Sequence, residues 1–327
     1  MDHRKIQRTT GGTFFVCLPK NWAERSGLSR GSVVAISEMT DGRLAIDAKH
    51  ELERTPRVAV VKPTPLLDRE IEEKYLLGYD VIRVEAKDRI SVNDRERIKQ
   101  AVSRFVGLEI IEEDYSKIVM QCLLEPSTVP PEKILRREYS IASGMHREAV
   151  TALIEGDVHL AKNVIARDNE VNRLYFLLVR VLRTVIQNPE LSEKLGILPI
   201  ECLDYRLTAS LVESVGDQAG QIAAKVIELK DKKMTEELSQ LILKFHTVAY
   251  KAHEDAMTAM FTHDVSLAES VKAEQEDVAK MFYGAEAAAS TQSIETAPHV
   301  LAALASMNRI HNDSVDIADL VVPRLAG

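Results

Sequence analysis

Residues 145–174, MHREAVTALIEGDVHLAKNVIARDNEVNRL, lie over residues 252–281, AHEDAMTAMFTHDVSLAESVKAEQEDVAKM, without a gap at an offset of 107. His146 meets His253, Thr151 meets Thr258, Asp157-Val158 meets Asp264-Val265, and Leu160-Ala161 meets Leu267-Ala268. Roughly a third of the pairs are identical. A later stretch recurs too, LVESVGDQAGQIA (211–223) over SMNRIHNDSVDIA (306–318). Amphipathic period alone aligns apolar residues. It does not place an aspartate at the same interhelix turn twice, so the C-terminal part reads as a duplicated three-helix unit.

The hydrophobic period changes along the chain and divides it. From Pro130 onward nothing reads as strand, and amphipathic stretches over 133–154, 158–187, 201–230, 234–261, 264–289 and 297–322 predict six helices. Gly156-Asp157, Asn188-Pro189, Lys230–Lys233 and Pro298 punctuate them. Residues 57–124 alternate β-branched runs (58–61, 80–86, 108–113, 117–124) with helical spacing over 66–77 and 92–106. Ser91 or Asn93 suits the cap of the second of these helices, and Gly78 and Gly107 sit where helix ends favour positive φ. The first fifty residues read as strands 14–18, 32–37 and 43–48, the last entered through an Asp41-Gly42 turn, with a short helix from Pro19 to Leu28. The expected architecture is therefore multidomain: a small β unit over 1–50, a small α/β module over 56–126, and helical repeats over 130–230 and 231–327. The β unit is too small to bury both faces of its sheet alone, so it is expected to dimerise or to pack on a partner.

Charge is unevenly spread. Residues 1–50 carry +3, residues 51–129 carry −3 and residues 130–327 carry −8. The first thirty residues hold Arg4, Lys5, Arg8, Lys20, Arg25 and Arg30 against Asp2 and Glu24, so only this head suits a polyanion. No stretch of eighteen apolar residues and no apolar leader core is present, which predicts a cytoplasmic chain without membrane insertion. Cys17, Cys122 and Cys202 form no CxxC pair and read as small buried apolar residues rather than disulfide partners or zinc ligands.

Polar residues four apart mark the first repeat. Asp168 and Asn172 share one face of its second helix, and Glu213 and Asp217 share one face of its third. Two such faces packed together offer four oxygen ligands to a hard cation. Solvated helix faces carry such pairs as well, and spacing does not separate the two cases. The third helix, ESVGDQAGQIA from Glu213, resembles the signature helix of the PhoU family (ER-x-G-D-x-A-x-x-I-A), and ARDNEVNRLY (166–175) is similar to the acidic segment of that family's second helix.

That resemblance implies a tandem pair of three-helix bundles from about residue 130 onward. It also implies a regulator of phosphate uptake and signalling, with phosphate transporter components as partners. A multinuclear metal site is implied too, binding a divalent or ferric ion such as zinc, iron or magnesium. Carried over, Asp168, Glu213 and Asp217 are the implied ligands, followed by Glu170 and Asn172. The second repeat departs from the pattern: Gln275, Asn308 and Asn312 stand where acids are expected, and Glu276 and Asp277 offset this only in part, so at most one metal site per chain is expected, with the second repeat mainly structural.

The segment RKIQRTTGGTFFVCLPKNWAERSGLSRGSVVAISEMTDGRLAI (4–46) resembles the AbrB/SpoVT swapped-hairpin fold: a basic first strand, a strand ending in LPK, a short helix, L-x-x-G and a D-G turn. The resemblance implies an interleaved dimeric β barrel that grips DNA through Arg4, Lys5, Arg8, Lys20 and Asn21. With YLLGYDVIRVEA and VGLEIIEE between the two parts, nearly the whole chain is similar to regulators of the archaeal PhoU type. The alternative is a protein–protein adaptor whose head serves only dimerisation. Hydrolysis has no support, since no histidine, lysine or serine is spaced to act beside the acids, and Gly11-Gly12 lacks a Walker lysine. His146 and His253 read as structural.

Overall fold

The computed structural model describes residues 3–38, 42–48, 56–125, 128–230 and 232–323. They form two compact units, 1–56 and 57–327.

In the first unit β1 (Gln7–Arg8) pairs antiparallel with β2 (Phe14–Phe15), α1 (Lys20–Arg25) follows, and β3 (Ala35–Glu38) pairs antiparallel with β4 (Leu44–Asp47). The strands are shorter than the sequence predicts. Among the described residues they form two separate two-stranded ladders. Asp41 of the expected turn lies outside the described residues, while Gly42 has φ +77°. No described residue of this unit is buried, and Ile6, Phe14, Val33, Ile36 and Leu44 are exposed. Cys17 is exposed as well, contrary to the sequence expectation, because a unit this small has no interior to hold it. Cys122 and Cys202 are buried and unpaired as expected.

The second unit begins with β5 (Val58–Val61), α2 (Leu67–Leu76), β6 (Val81–Glu85), α3 (Val92–Ser103), β7 (Leu108–Glu113) and β8 (Lys117–Cys122). Sheet order is β5-β6-β8-β7, with only β5 and β6 parallel. Ser91 caps α3 by accepting the Asp94 N–H at 3.0 Å. Leu67, Ile71, Tyr75, Ile98 and Phe105 from the helical side bury Val61, Ile82, Val84, Ile118 and Met120 of the strands.

Seven helices and a short extra one follow: α4 (Pro131–Glu155), α5 (Val158–Gln187), α6 (Pro189–Leu195), α7 (Glu201–Leu229), α8 (Glu236–Thr262), α9 (Val265–Ala273), α10 (Gln275–Ser290) and α11 (Ala297–Asp319). Two differ from expectation. The Asn188-Pro189 pair that ends α5 also starts α6, because Asn188 accepts the Leu191 N–H at 3.2 Å and Pro189 fits the first helical turn. The single helix expected over 264–289 is divided at Glu274 into α9 and α10.

The duplication is visible in matched turns and in the packing between repeats. α4 ends at Glu155 and α8 at Thr262; α5 starts at Val158 and α9 at Val265, each pair 107 apart. Gly156 and His263 both adopt the left-handed conformation that stops the first helix. Asp157 and Asp264 then cap the next one, accepting from the equivalent Leu160 and Leu267 N–H groups. Between the repeats, Tyr139 meets His253 edge-on at 5.2 Å and His146 meets His246 edge-on at 4.8 Å, both at 85°. Exchanging the repeats converts one pair into the other. The hydroxyl pair Ser143 and Tyr250, 2.9 Å apart and also related by 107, therefore sits on an approximate twofold axis.

His146 and His253 are fully buried with no ring nitrogen partnered among the described residues. Burial pushes His246 and His253 down to about 4 and His146 well below its usual value, so all three are neutral at pH 7.

Two outcomes follow from this packing. Gly156→Ala meets no neighbouring atom, so its cost is backbone strain alone, about 1 kcal/mol in urea unfolding. A histidine with a depressed folded value leaves the unfolded chain binding more protons, so stability falls as pH drops from about 6.5 towards 4. His253→Phe lowers that slope by up to about 1.4 kcal/mol per pH unit, measured by urea unfolding at pH 5 and 6.

Candidate functional site

The four polar residues of the first repeat converge because α5 and α7 approach closely at one point. A methyl group added to Gly216 would lie 3.2 Å from Val171 Cγ1, inside ordinary van der Waals contact. Asp168 and Asn172 stand at −3 and +1 from Val171, and Glu213 and Asp217 stand at −3 and +1 from Gly216. The contact is thus flanked on both helices by the same polar pattern. Asn172 Nδ2 donates to Asp168 Oδ2 at 3.0 Å, and Asp168 is hydrogen bonded to Asp217.

Bringing these carboxyls together costs free energy, and their acidities record it. Glu213 is pushed up to about 7, by burial first and then by the charges of Asp217 and Asp168, with Arg206 opposing. Asp217 is pushed up to about 6 by partial burial and by Asp168. Glu170 stands apart: it is exposed and two positions from Asp168, so about 200° round the helix.

Glu138 is a member of this cluster that the sequence reading missed. It lies on α4, fully buried, with neither carboxyl oxygen partnered among the described residues. Burial raises it well above the usual carboxylate range and Glu213 raises it further. A signal was present, since Glu138 interrupts the buried stripe Ile134, Leu135, Ile141, Ala142, Met145. Its counterpart in the second repeat is Phe245, an ordinary core residue.

The acids open into a cleft of about 500 Å³ lined by Ser103, Arg104, Asn169, Asn172, Arg173, Phe176, Glu213 and Asp217. Arg104 lies 5.4 Å over the Phe176 ring and 3.4 Å from Glu72. The α/β module is held against the bundle beside this cleft. Buried Arg180 donates to the Tyr75 carbonyl at 2.6 Å and stacks 4.9 Å over its ring, and Tyr75 stacks on Phe105.

The donor chemistry fits a hard cation: oxygen ligands only, three of them mutually repelling acids beside a fourth, unpartnered one. As they stand, Asp168 is engaged with Asn172 and Asp217, and among the described residues no three His, Cys, Asp or Glu side chains surround one point. In the second repeat the frame persists without the chemistry. Val278 and His311 occupy the contact positions and Gln275, Ala279, Asn308 and Asn312 flank them.

The DNA-binding candidates lie on the first unit, all exposed. Arg8 folds onto its own hairpin, 3.4 Å from the Gly12 carbonyl and 5.3 Å over the Phe14 ring. Lys20 lies 3.7 Å from Glu24, one turn along α1. Lys5 and Asn21 are exposed on the first strand's approach and on α1, and Arg4 is exposed just before Lys5.

Replacing Glu138 by Met removes a buried, unpartnered acid at similar volume. The expected gain is about 1–3 kcal/mol in urea unfolding with chelator present. Because the folded value of Glu138 is raised, its penalty is smallest below pH 4.5 and grows with pH, so the gain is larger at pH 8 than at pH 4. An unchanged stability at both would mean that the carboxyl is partnered.

No curated protein sequence matches the chain. Among solved structures it is similar to PhoU from Pseudomonas aeruginosa, with TM-score 0.54 and 21% identity over 60% of this chain and 95% of that one. It is similar also to the phosphate transport system regulatory protein PhoU from Streptococcus pneumoniae, with TM-score 0.50 and 18% identity over 58% and 91%. Residues 135–226, which carry Glu138, Asp168, Asn172, Glu213 and Asp217, match the family model of the PhoU domain.

Proposed function

We propose that the chain regulates phosphate uptake in the cytoplasm, binding a metal cation in its first helical repeat and DNA through a dimeric N-terminal unit. The observation that carries this reading is the convergence of Asp168, Asn172, Glu213 and Asp217 inside the segment that matches the PhoU domain. The cation, a divalent or ferric ion such as zinc, iron or magnesium, would offset the burial and the mutual repulsion that raise Glu213 and Asp217. No helix among the described residues is long and apolar enough to cross a membrane, which agrees with action at the cytoplasmic side of a phosphate transporter.

Two features support the dimeric head: its exposed apolar side chains, and its positive charge on an otherwise acidic chain. A second reading, a protein–protein adaptor whose head only dimerises, is favoured by a different observation. Arg8 and Lys20 are already engaged with Phe14 and Glu24, which leaves less free charge for phosphates.

Binding to DNA from upstream of phosphate-transport genes, across a salt series, separates the two. The DNA-binding reading expects sequence-selective binding whose log-log salt slope falls by roughly one for each phosphate contact removed in the Arg4→Ala, Arg8→Ala, Lys20→Ala variant. Binding no tighter than to competitor DNA would leave the adaptor. In the same preparation, calorimetric titration with Mg2+, Mn2+ and Zn2+ should show one cation site, weakened at least tenfold by Asp217→Asn.

A further inference from the structure

The cleft above the acidic cluster carries two kinds of charge, and no single ion satisfies both. Glu213 and Asp217 line one part of it, while Arg104 and Arg173 line another. A lone oxoanion would meet the carboxylates; a lone cation would leave the guanidinium groups unused. Arg104 comes from the end of α3 in the α/β module, and Arg173 from α5 in the bundle.

Arginine presents a planar fork of donors matched to tetrahedral oxoanions. Arg104 is held by the ring of Phe176 and donates through Nη2 to Glu72 Oε2 at 3.4 Å, which occupies one of the five guanidinium donors and leaves the others for a ligand. Asn169 adds an amide to the same wall, while the Ser103 hydroxyl beside it donates to the Gln100 carbonyl at 2.8 Å. Asn169 and Arg173 are four apart on α5, so both face the cleft from one side of the helix. The cleft's 500 Å³ exceeds the roughly 30 Å³ share of a water molecule many times over, enough for a phosphate group with its cation.

We infer that this cleft binds a phosphate-class oxoanion together with the cation of the acidic cluster, with Arg104 and Arg173 gripping the anion across the seam between the α/β module and the helical bundle. This rests on the cation reading given above and adds the anion, its residues and the reason that the α/β module abuts the bundle at this point. The ligand shares its oxygens between the cation on one side and the two arginines on the other. Cation and anion therefore bind with positive coupling, each relieving the repulsion that the other would face.

The test is calorimetry on the full chain at pH 7.5, titrating inorganic phosphate with and without saturating Mn2+, and titrating Mn2+ alone. Phosphate is expected to bind at least tenfold more tightly with Mn2+ present. Arg104→Ala and Arg173→Ala should each weaken phosphate binding tenfold or more and leave Mn2+ affinity within threefold. Both side chains are exposed or half-exposed, so folding, checked by circular dichroism, should be unchanged. A parallel titration with a phosphate monoester assigns the source, and binding of either form supports the site. Mn2+ binding without phosphate binding, or phosphate binding indifferent to both arginines, overturns the inference while sparing the cation reading. Arginine-dependent phosphate binding with no Mn2+ binding overturns the cation reading and the coupling with it.

Discussion

The contact between Val171 and Gly216 sets the geometry on which the candidate site depends. Only a residue without a side chain lets α7 come this close to α5, and the closeness forces Asp168 and Asn172 against Glu213 and Asp217. Core packing therefore supplies the free energy that holds the acids together. Glu138 adds to the strain from α4, buried where a hydrophobic residue would stabilise the fold more. Such an arrangement is costly unless a ligand relieves it, and it is confined to one repeat.

That confinement shows what duplication preserved and what it released. The turns at Gly156-Asp157 and His263-Asp264 match in backbone conformation and in the hydrogen bonds their aspartates accept. The aromatic pairs at the pseudo-twofold centre match as well. These features fix how the two repeats pack and hold in both copies. The acids do not: Phe245, Gln275, Asn308 and Asn312 take their places, and buried His311 fills the position of Gly216. Asp313 of the second repeat remains charged chemistry turned to structure, fully buried and accepting from Ser214 at 2.7 Å with Arg309 Nε at 3.0 Å. It thereby ties α11 to α7 next to Glu213.

Much of this was legible in the sequence because periodicity and turn chemistry are local. The strands Val58–Val61 and Leu108–Glu113, the cap at Ser91 and the duplicated aspartate turns all follow from residues close in the chain. What escaped depends on distant partners or on competing local signals. Asn188-Pro189 marks an end and a beginning equally well, so α6 was hidden in a presumed connection. Glu138 was legible as a break in a buried stripe, yet its meaning required Glu213, seventy-five positions on. Arg104 had no local signal at all, since it becomes part of the cleft only when α3 packs beside α5. Cys17 was misread because burial was assigned from residue type, in a unit none of whose described residues is buried.

The placement of α3 follows in turn from Arg180. A fully buried guanidinium needs its charge and donors accommodated, and the Tyr75 carbonyl and ring provide for both. Tyr75 also donates to the Val106 carbonyl and stacks on Phe105, which fixes the chain just past the end of α3. Ser103 and Arg104 are the residues immediately before that anchor, so the same packing that docks the α/β module presents them to the cleft. The module is in this way a wall of the site rather than a spacer between the head and the helices.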